Sequence, residues 1–414
     1  MYLLPIQAPL FVDGERRLVT TDWKRSLELL RDSLGGRYGP LCVLAPSLPV
    51  ERAPSAALLE ELSLGHDGIE AVASIPADVR TRHYWLAHHR QWRAQAESLV
   101  ARADVVHAGA DNLFKPLMST AWRLAVEAGV PTVFVQDTDI VLQERELAGD
   151  DALRVMRARV YGAVYERVVR SGVARSTLSL LKGRDLVQRY GPWGANVREF
   201  HDTSHLSEHV VSDGVIAARR ERATRGLPLR FVYCGRFVER KGLATSVELV
   251  ARARALGANV ELHLIGDGQQ RTELETLARE RGVAAHVHFH GPATYGPELI
   301  ARLATYDALL FTPSAEDTPR MIFDAYAAGL PLVATDIAYV RERAEAEHAA
   351  VVLPRADHDR AAQEIAALAT DRTRLLALAP HALAAGRFHA ADVWYARRAQ
   401  WTFEAVENAR RRAA

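Results

Sequence analysis

Short apolar runs rich in Val, Ile and Leu alternate along the chain with longer amphipathic stretches, a pattern that predicts the strands and helices of a doubly wound parallel sheet. In the first half, strands are expected over 41–46 (LCVLAP), 68–75 (GIEAVASI), 104–109 (DVVHAG), 131–136 (PTVFVQ) and 176–181 (STLSLL), with helices over 21–34, 79–102 and 114–128. The last of these stops at Gly129 ahead of Pro131, an ordinary helix ending. A polar and then basic stretch over 205–229 closes on Gly226 and Pro228, and a second alternation follows. Its strands are expected over 231–235, 260–266, 286–291, 307–313 and 331–336, and its helices over 242–256, 270–281 and 320–328. The pattern predicts an α/β chain of two Rossmann-like, doubly wound domains, 1–214 and 215–388, with an interdomain cleft at the carboxyl ends of the strands, where open sheets bind ligands. A final aromatic-bearing helix over 389–414 is expected to pack back towards the first domain.

Composition narrows the partners. Across 414 residues, 52 Lys and Arg stand against 51 Asp and Glu, and the resulting formal charge of +1 offers no global basic field for a nucleic-acid backbone. Two cysteines far apart in sequence, Cys42 and Cys234, form no disulfide framework, which suits a reducing compartment and a cytoplasmic protein. No apolar run approaches the ~18 residues of a membrane span, and the start MYLLPIQAPLFVDGERR lacks the basic region and cleavage site of a signal peptide.

Candidate chemistry gathers at the expected strand ends of the second half. Arg236 and Lys241 follow FVYCG and precede a helix whose first amides also favour anions, so they are candidates for a diphosphate cradle, with a solvated basic turn as the alternative. In LIGDGQQRTELETLA, Gly266-Asp267-Gly268 allows a tight turn and close ligand approach. The third glycine of a dinucleotide fingerprint is missing, and no acid follows a second strand at the usual offset, which argues against NAD. The segment PSAEDTPRMIFDAYAAGLPLVATD sets Glu316 in a loop and Asp324, eight positions later, inside a helix. That spacing suits one carboxylate on a sugar and another on a ribose diol, against the alternative of ordinary acids on a capped surface helix.

Taken in order, GRFVERKG, LIGDGQQRTELETLA, VHFHG and PSAEDTPRMIFDAYAAGLPLVATD resemble the retaining GT-B glycosyltransferases, especially the large family 4 of the group 1 type, over about 231–345. The resemblance implies transfer of a sugar from a nucleoside-diphosphate sugar to a glycan, lipid-linked or small-molecule hydroxyl, with no separate cofactor and no metal. It implies that Arg236 and Lys241 hold the donor diphosphate, that Glu316 contacts the transferred sugar and that Asp324 binds ribose. Gly235, Gly266, Asp267, Gly268, Thr318, Pro319 and Arg320 would surround the nucleotide. Two departures stand out: the second acid is Asp324 rather than Glu, and the family's usual Gly-Phe after the first acid is Asp317-Thr318 here. A catalytically weak scaffold or binding subunit, or a sugar-nucleotide epimerase or hydrolase on the same fold, are the alternatives.

The first half resembles the family by element order rather than by motif. Where members often carry a His lining the sugar site, the strand PTVFVQ ends in Gln136 followed by Asp137, and Gln cannot be a general base. Gln136 and Asp137 are therefore acceptor or sugar-site candidates, with plain strand-end residues as the alternative. Asp137-Thr138-Asp139 also spells a metal-binding Asp-x-Asp, but in the half away from the donor cradle, so turn or capping acids or an acceptor contact are favoured. His286, His288 and His290 alternate on one strand face without an evident acid or further ligand, which favours sheet packing over zinc. His83, His88 and His89 fall on different sides of their helix. The helix DALRVMRARVYGAVYERVVRSG sets five arginines beside Val, Met and Tyr, a solvated face or else a peripheral contact on the inner membrane face.

Overall fold

The structure, a computed structural model, describes residues 1–53, 58–149, 151–315 and 317–413, without the side chains of 146–148 and 413. The chain divides into two compact units, Met1–Asp202 with Trp394–Ala414, and Thr203–Val393. The boundary expected at 214/215 thus falls inside the second unit.

Among the described residues the first unit carries ten strands: β1 (Tyr2–Pro5), β2 (Leu10–Asp13), β3 (Arg16–Thr20), β4 (Leu41–Pro49), β5 (Leu59–Glu61), β6 (Ile69–Pro76), β7 (Val105–Gly109), β8 (Thr132–Gln136), β9 (Leu178–Lys182) and β10 (Val197–Phe200). They form one sheet in the order β10-β9-β8-β7-β1-β4-β2-β3-β5, with β6 also paired to β4. All pairings are parallel except β2 with β3 and β3 with β5. Buried Val and Leu in β4, β7 and β8 explain their near-continuous apolar runs, since helices cover both faces of a parallel sheet. The C-terminal helix Ala391–Ala413 contributes Trp394, Ala399, Ala405 and Val406 to the same core as Tyr2, Leu27 and Leu41.

Among the described residues the second unit carries a six-stranded, wholly parallel sheet of β11 (Leu229–Cys234), β12 (Val260–Ile265), β13 (Val287–Phe289), β14 (Ala308–Phe311), β15 (Leu332–Thr335) and β16 (Ala350–Leu353), ordered β13-β12-β11-β14-β15-β16. The order reverses between β11 and β14, as at the switch point where doubly wound sheets open a crevice at their carboxyl ends. The chain leaves β11 into Gly235 and enters the helix Leu243–Ala255 through Gly242, whose φ of 65° is a left-handed conformation that only glycine adopts cheaply.

Candidate functional site

Backbone contacts between loops build the carboxyl end of the second sheet. Gly235 donates to the Ile265 carbonyl (2.9 Å), Phe237 to that of Asp267 (2.8 Å), and Gly266 to that of Gly291 (2.7 Å). A Cβ on Gly266 would lie 1.9 Å from the Gly235 oxygen, and one on Gly268 would lie 2.4 Å from the Phe237 oxygen. These two glycines therefore have a packing reason of their own: they let the loops after β11 and β12 interlock. Asp267 caps the turn by accepting from the Gly268 amide (2.8 Å).

The loops after β11 and β14 are joined in the same way. Ser314 donates through its amide to the Arg240 carbonyl (3.2 Å) and through its hydroxyl to the Glu239 carbonyl (3.2 Å), while the Thr312 hydroxyl donates to the Gly242 carbonyl (2.8 Å). This joining brings Lys241 to Asp317. The buried Lys241 ammonium donates to one carboxylate oxygen of Asp317, and the half-exposed Arg240 donates to the other (2.9 Å). Burial pushes the Lys241 pKa down, Asp317 pushes it back up, and Arg240 and Arg236 lower it further. Arg236 itself is exposed. Two cations, Lys241 and Arg240, thus meet one carboxylate just after β11, with Arg236 near enough for its charge to act on Lys241. Asp317 and Arg240 were not among the residues singled out in the sequence: Asp317 stood there only as a departure from the family pattern, and its separation from Lys241 left no short motif to read.

Asp324 lies on the helix Met321–Ala327, is 8% exposed, and accepts from the Tyr295 hydroxyl (3.0 Å). The His205 Nδ1, wholly buried, is 3.8 Å away, while His205 Nε2 donates to the Gly386 carbonyl (2.7 Å). Burial and the Asp324 charge push the Cys234 thiol up to about 12. Arg236 and Lys241 thus follow the carboxyl end of β11, and the helix that carries Asp324 follows β14, its neighbour in the sheet. Thr318 and Arg320 are exposed, Pro319 is buried, and Arg320 donates to the Ser204 hydroxyl (3.4 Å). Glu316 lies outside the described residues.

In the first unit, Gln136 ends β8 with 2% of its surface exposed. Its amide nitrogen donates to the Thr138 carbonyl (2.7 Å) and the Tyr165 hydroxyl (3.0 Å), while its side-chain oxygen is buried with no hydrogen-bond partner among the described residues. Asp137 is exposed. Asp139 accepts from the Leu142 amide (3.0 Å) and pairs with Arg189 (2.9 Å), the contacts of a helix-capping acid. On the helix Ala152–Arg175, Leu153, Met156, Val160 and Val164 form an exposed apolar stripe at helical spacing, with exposed Arg154, Arg157, Arg159 and Arg167 around it. No described helix is long and apolar enough to cross a membrane.

The histidines around β13 lie differently from the expected pattern. His286 lies in the 3-10 turn Ala284–His286 rather than on the strand, and an acid does accompany His288 and His290: Glu261 on the adjoining β12, together with His263. A scan of one strand could not show what its neighbour places alongside.

Compared with known proteins, residues 217–382 match the family model of glycosyl transferases group 1. The lipopolysaccharide core biosynthesis glycosyltransferase LpsE of Rhizobium meliloti is 39% identical over 101 residues, 24% of this chain and 28% of that protein. The glycogen synthase of Mycobacterium tuberculosis is 27% identical over 183 residues, 44% of this chain and 41% of that protein. The chain thus spans less than half the length of these curated relatives. Over nearly its whole length it shares the fold of Anabaena HepE, solved in complex with UDP, at a TM-score of 0.65 and 15% identity, covering 97% of this chain and 99% of the other.

Proposed function

We propose that this chain, with a group 1 glycosyl transferase region in its second unit, is a retaining glycosyltransferase that moves a sugar from a nucleoside-diphosphate sugar to a hydroxyl acceptor. The observation that carries the proposal is the convergence of Arg240 and Lys241 on Asp317 at the switch point of the second sheet, with Arg236 acting on Lys241 and with Asp324 on the helix that follows the neighbouring strand β14. Cations there neutralise the charge that grows on the diphosphate as the bond to the sugar breaks, a role that preorganised donors fill at a gain of about 3 kcal/mol each. Asp317 holds Lys241 charged and placed until the donor arrives, and the diphosphate then replaces one anionic partner with another. Asp324 accepts from the ribose hydroxyls, and Glu316 contacts the transferred sugar. The bond between the anomeric carbon and the diphosphate breaks, the acceptor oxygen bonds to that carbon on the same face, and the acceptor proton passes to the departing diphosphate. No side-chain base is then required, which agrees with Gln136 at the end of β8.

The reaction needs no divalent ion, because Asp139 is engaged in its helix cap and with Arg189 while the cations gather in the other unit. The apolar stripe on Ala152–Arg175 favours an anionic lipid surface as the place where the acceptor is met, because its surrounding arginines match that charge. Transfer assays with NMR of fresh product test the reading. Retained anomeric configuration and activity undiminished by EDTA support it; an inverted product, or activity abolished by EDTA and restored by magnesium, would refute the retaining or the metal-independent part. Co-sedimentation with anionic but not neutral vesicles, lost in Met156→Glu with Val160→Glu, tests the lipid contact.

A further inference from the structure

The pairing of β12 with β13 puts His263 directly opposite His288. Side chains alternate along a strand, so Glu261 and His263 share one sheet face and His288 shares it with His290. The result is a compact set of donors. The Glu261 Oε2 lies 3.4 Å from His263 Nε2 and 4.0 Å from His288 Nε2, and the ligand atoms of all three lie within 4.8 Å of one another. Behind them, His263 Nδ1 is 3.0 Å from His290 Nε2. None of these residues takes part in the transfer chemistry described above.

We propose that Glu261, His263 and His288 bind a first-row divalent cation of the zinc type, with water in the remaining position and His290 as the outer hydrogen-bond partner that orients His263. Zinc bonds of about 2.0–2.2 Å to imidazole nitrogen and carboxylate oxygen, set tetrahedrally, put neighbouring ligand atoms roughly 3.3–3.6 Å apart. The Glu261 separations from His263 and His288, 3.4 and 4.0 Å, lie at and above that spacing and every pair lies within 4.8 Å, so closing on an ion takes a shift of His288, which is more than one-third exposed and has room to move. With a proton on His263 Nδ1 donated to His290, the His263 Nε2 lone pair faces the carboxylate, an arrangement that a cation between them stabilises. Arg230 and Arg302 lie near enough for their charges to act on the His263 imidazole. The same arginines oppose a cation and hold the affinity below that of a fully enclosed site. Because β13 is an edge strand of three residues, the ion acts as a clip fastening it to β12.

Titration calorimetry of the tag-free full chain, stripped with chelator and titrated with zinc chloride, tests the proposal. One equivalent is expected to bind, and Glu261→Gln and His288→Gln are each expected to weaken it at least tenfold. Both variants should keep the wild-type melting temperature in EDTA, which separates loss of the site from loss of the fold. Zinc should raise the wild-type melting temperature and leave that of the variants unchanged. Absence of saturable binding, or unchanged affinity in either variant, would overturn the proposal and leave the four side chains as a hydrogen-bonded cluster. Failure here is distinguishable from failure of the transferase reading, since neither substitution touches the residues assigned to the donor.

Discussion

Replacing Asp317 by Asn should strengthen nucleoside-diphosphate binding while weakening the free protein. Its carboxylate bonds to the Lys241 ammonium and to Arg240, and the Lys241 and Asp317 side chains are 10% and 9% exposed. A hydrogen bond to a charged group contributes about 1.5–3 kcal/mol. If the diphosphate takes Lys241 over from Asp317, the ligand no longer has to overcome that interaction in the variant, and its affinity should rise roughly 10- to 150-fold. The half-exposed Arg240 adds little, because exposed pairs are screened by water. In the free protein the same change leaves a buried ammonium without its counter-ion, and breaking such a pair typically costs about 3–5 kcal/mol. Calorimetric titration with UDP, GDP and ADP gives the first quantity and chemical denaturation the second. Unchanged or weaker binding in Asp317→Asn would show that Asp317 and the diphosphate do not compete for Lys241.

Asp324→Ala should weaken the free nucleoside diphosphate by about 1.5–3 kcal/mol, the contribution of a charged hydrogen bond, and affinity equal to wild type in the same titration would remove the ribose role. Gly242→Ala should destabilise the second unit by about 2–5 kcal/mol, since the added Cβ would sit 1.7 Å from the Thr312 oxygen on a backbone at φ 65°; a denaturation midpoint equal to wild type would contradict this. Burial holds His107, whose ring bonds to the Tyr2 hydroxyl (2.8 Å), down at about 3 against an ordinary 6.5. Between those values the unfolded chain binds a proton that the folded chain does not, so the stability of the first unit is lost as pH falls from 6.5 towards 3. Melting curves across that range should decline, and His107→Gln should flatten the decline; an identical slope in the variant would contradict the assignment.

The second unit was more legible in the sequence than the first. Its parallel strands are buried on both faces and read as plain apolar runs, so β11, β12, β14 and β15 fall where the pattern puts them. In the first unit, β1 escaped notice because it is only four residues, YLLP, with no alternation, although it lies near the middle of the sheet between β7 and β4. The antiparallel hairpin of β2 and β3 turns at Gly14 within a charged run, which hides its period. The helix expected over 79–102 is a helical run from Thr81 to Val100 that includes a π-turn at Tyr84–His88. At the site, motif order pointed to Arg236, Lys241 and Asp324, but not to what pairs with them. Asp317, Tyr295 and His205 reach them only through the topology of the sheet, and Glu261 joins the histidines only through strand register, neither of which a linear pattern encodes.

The central claim is that the cations after β11 receive a nucleoside diphosphate. Calorimetric titration of the full chain with UDP, GDP and ADP, repeated on Lys241→Ala, tests it most directly. Saturable one-to-one binding of one of the three, weakened at least tenfold in a Lys241→Ala variant that still melts cooperatively, is the predicted result. Binding of none of them, or equal affinity in the variant, would contradict it.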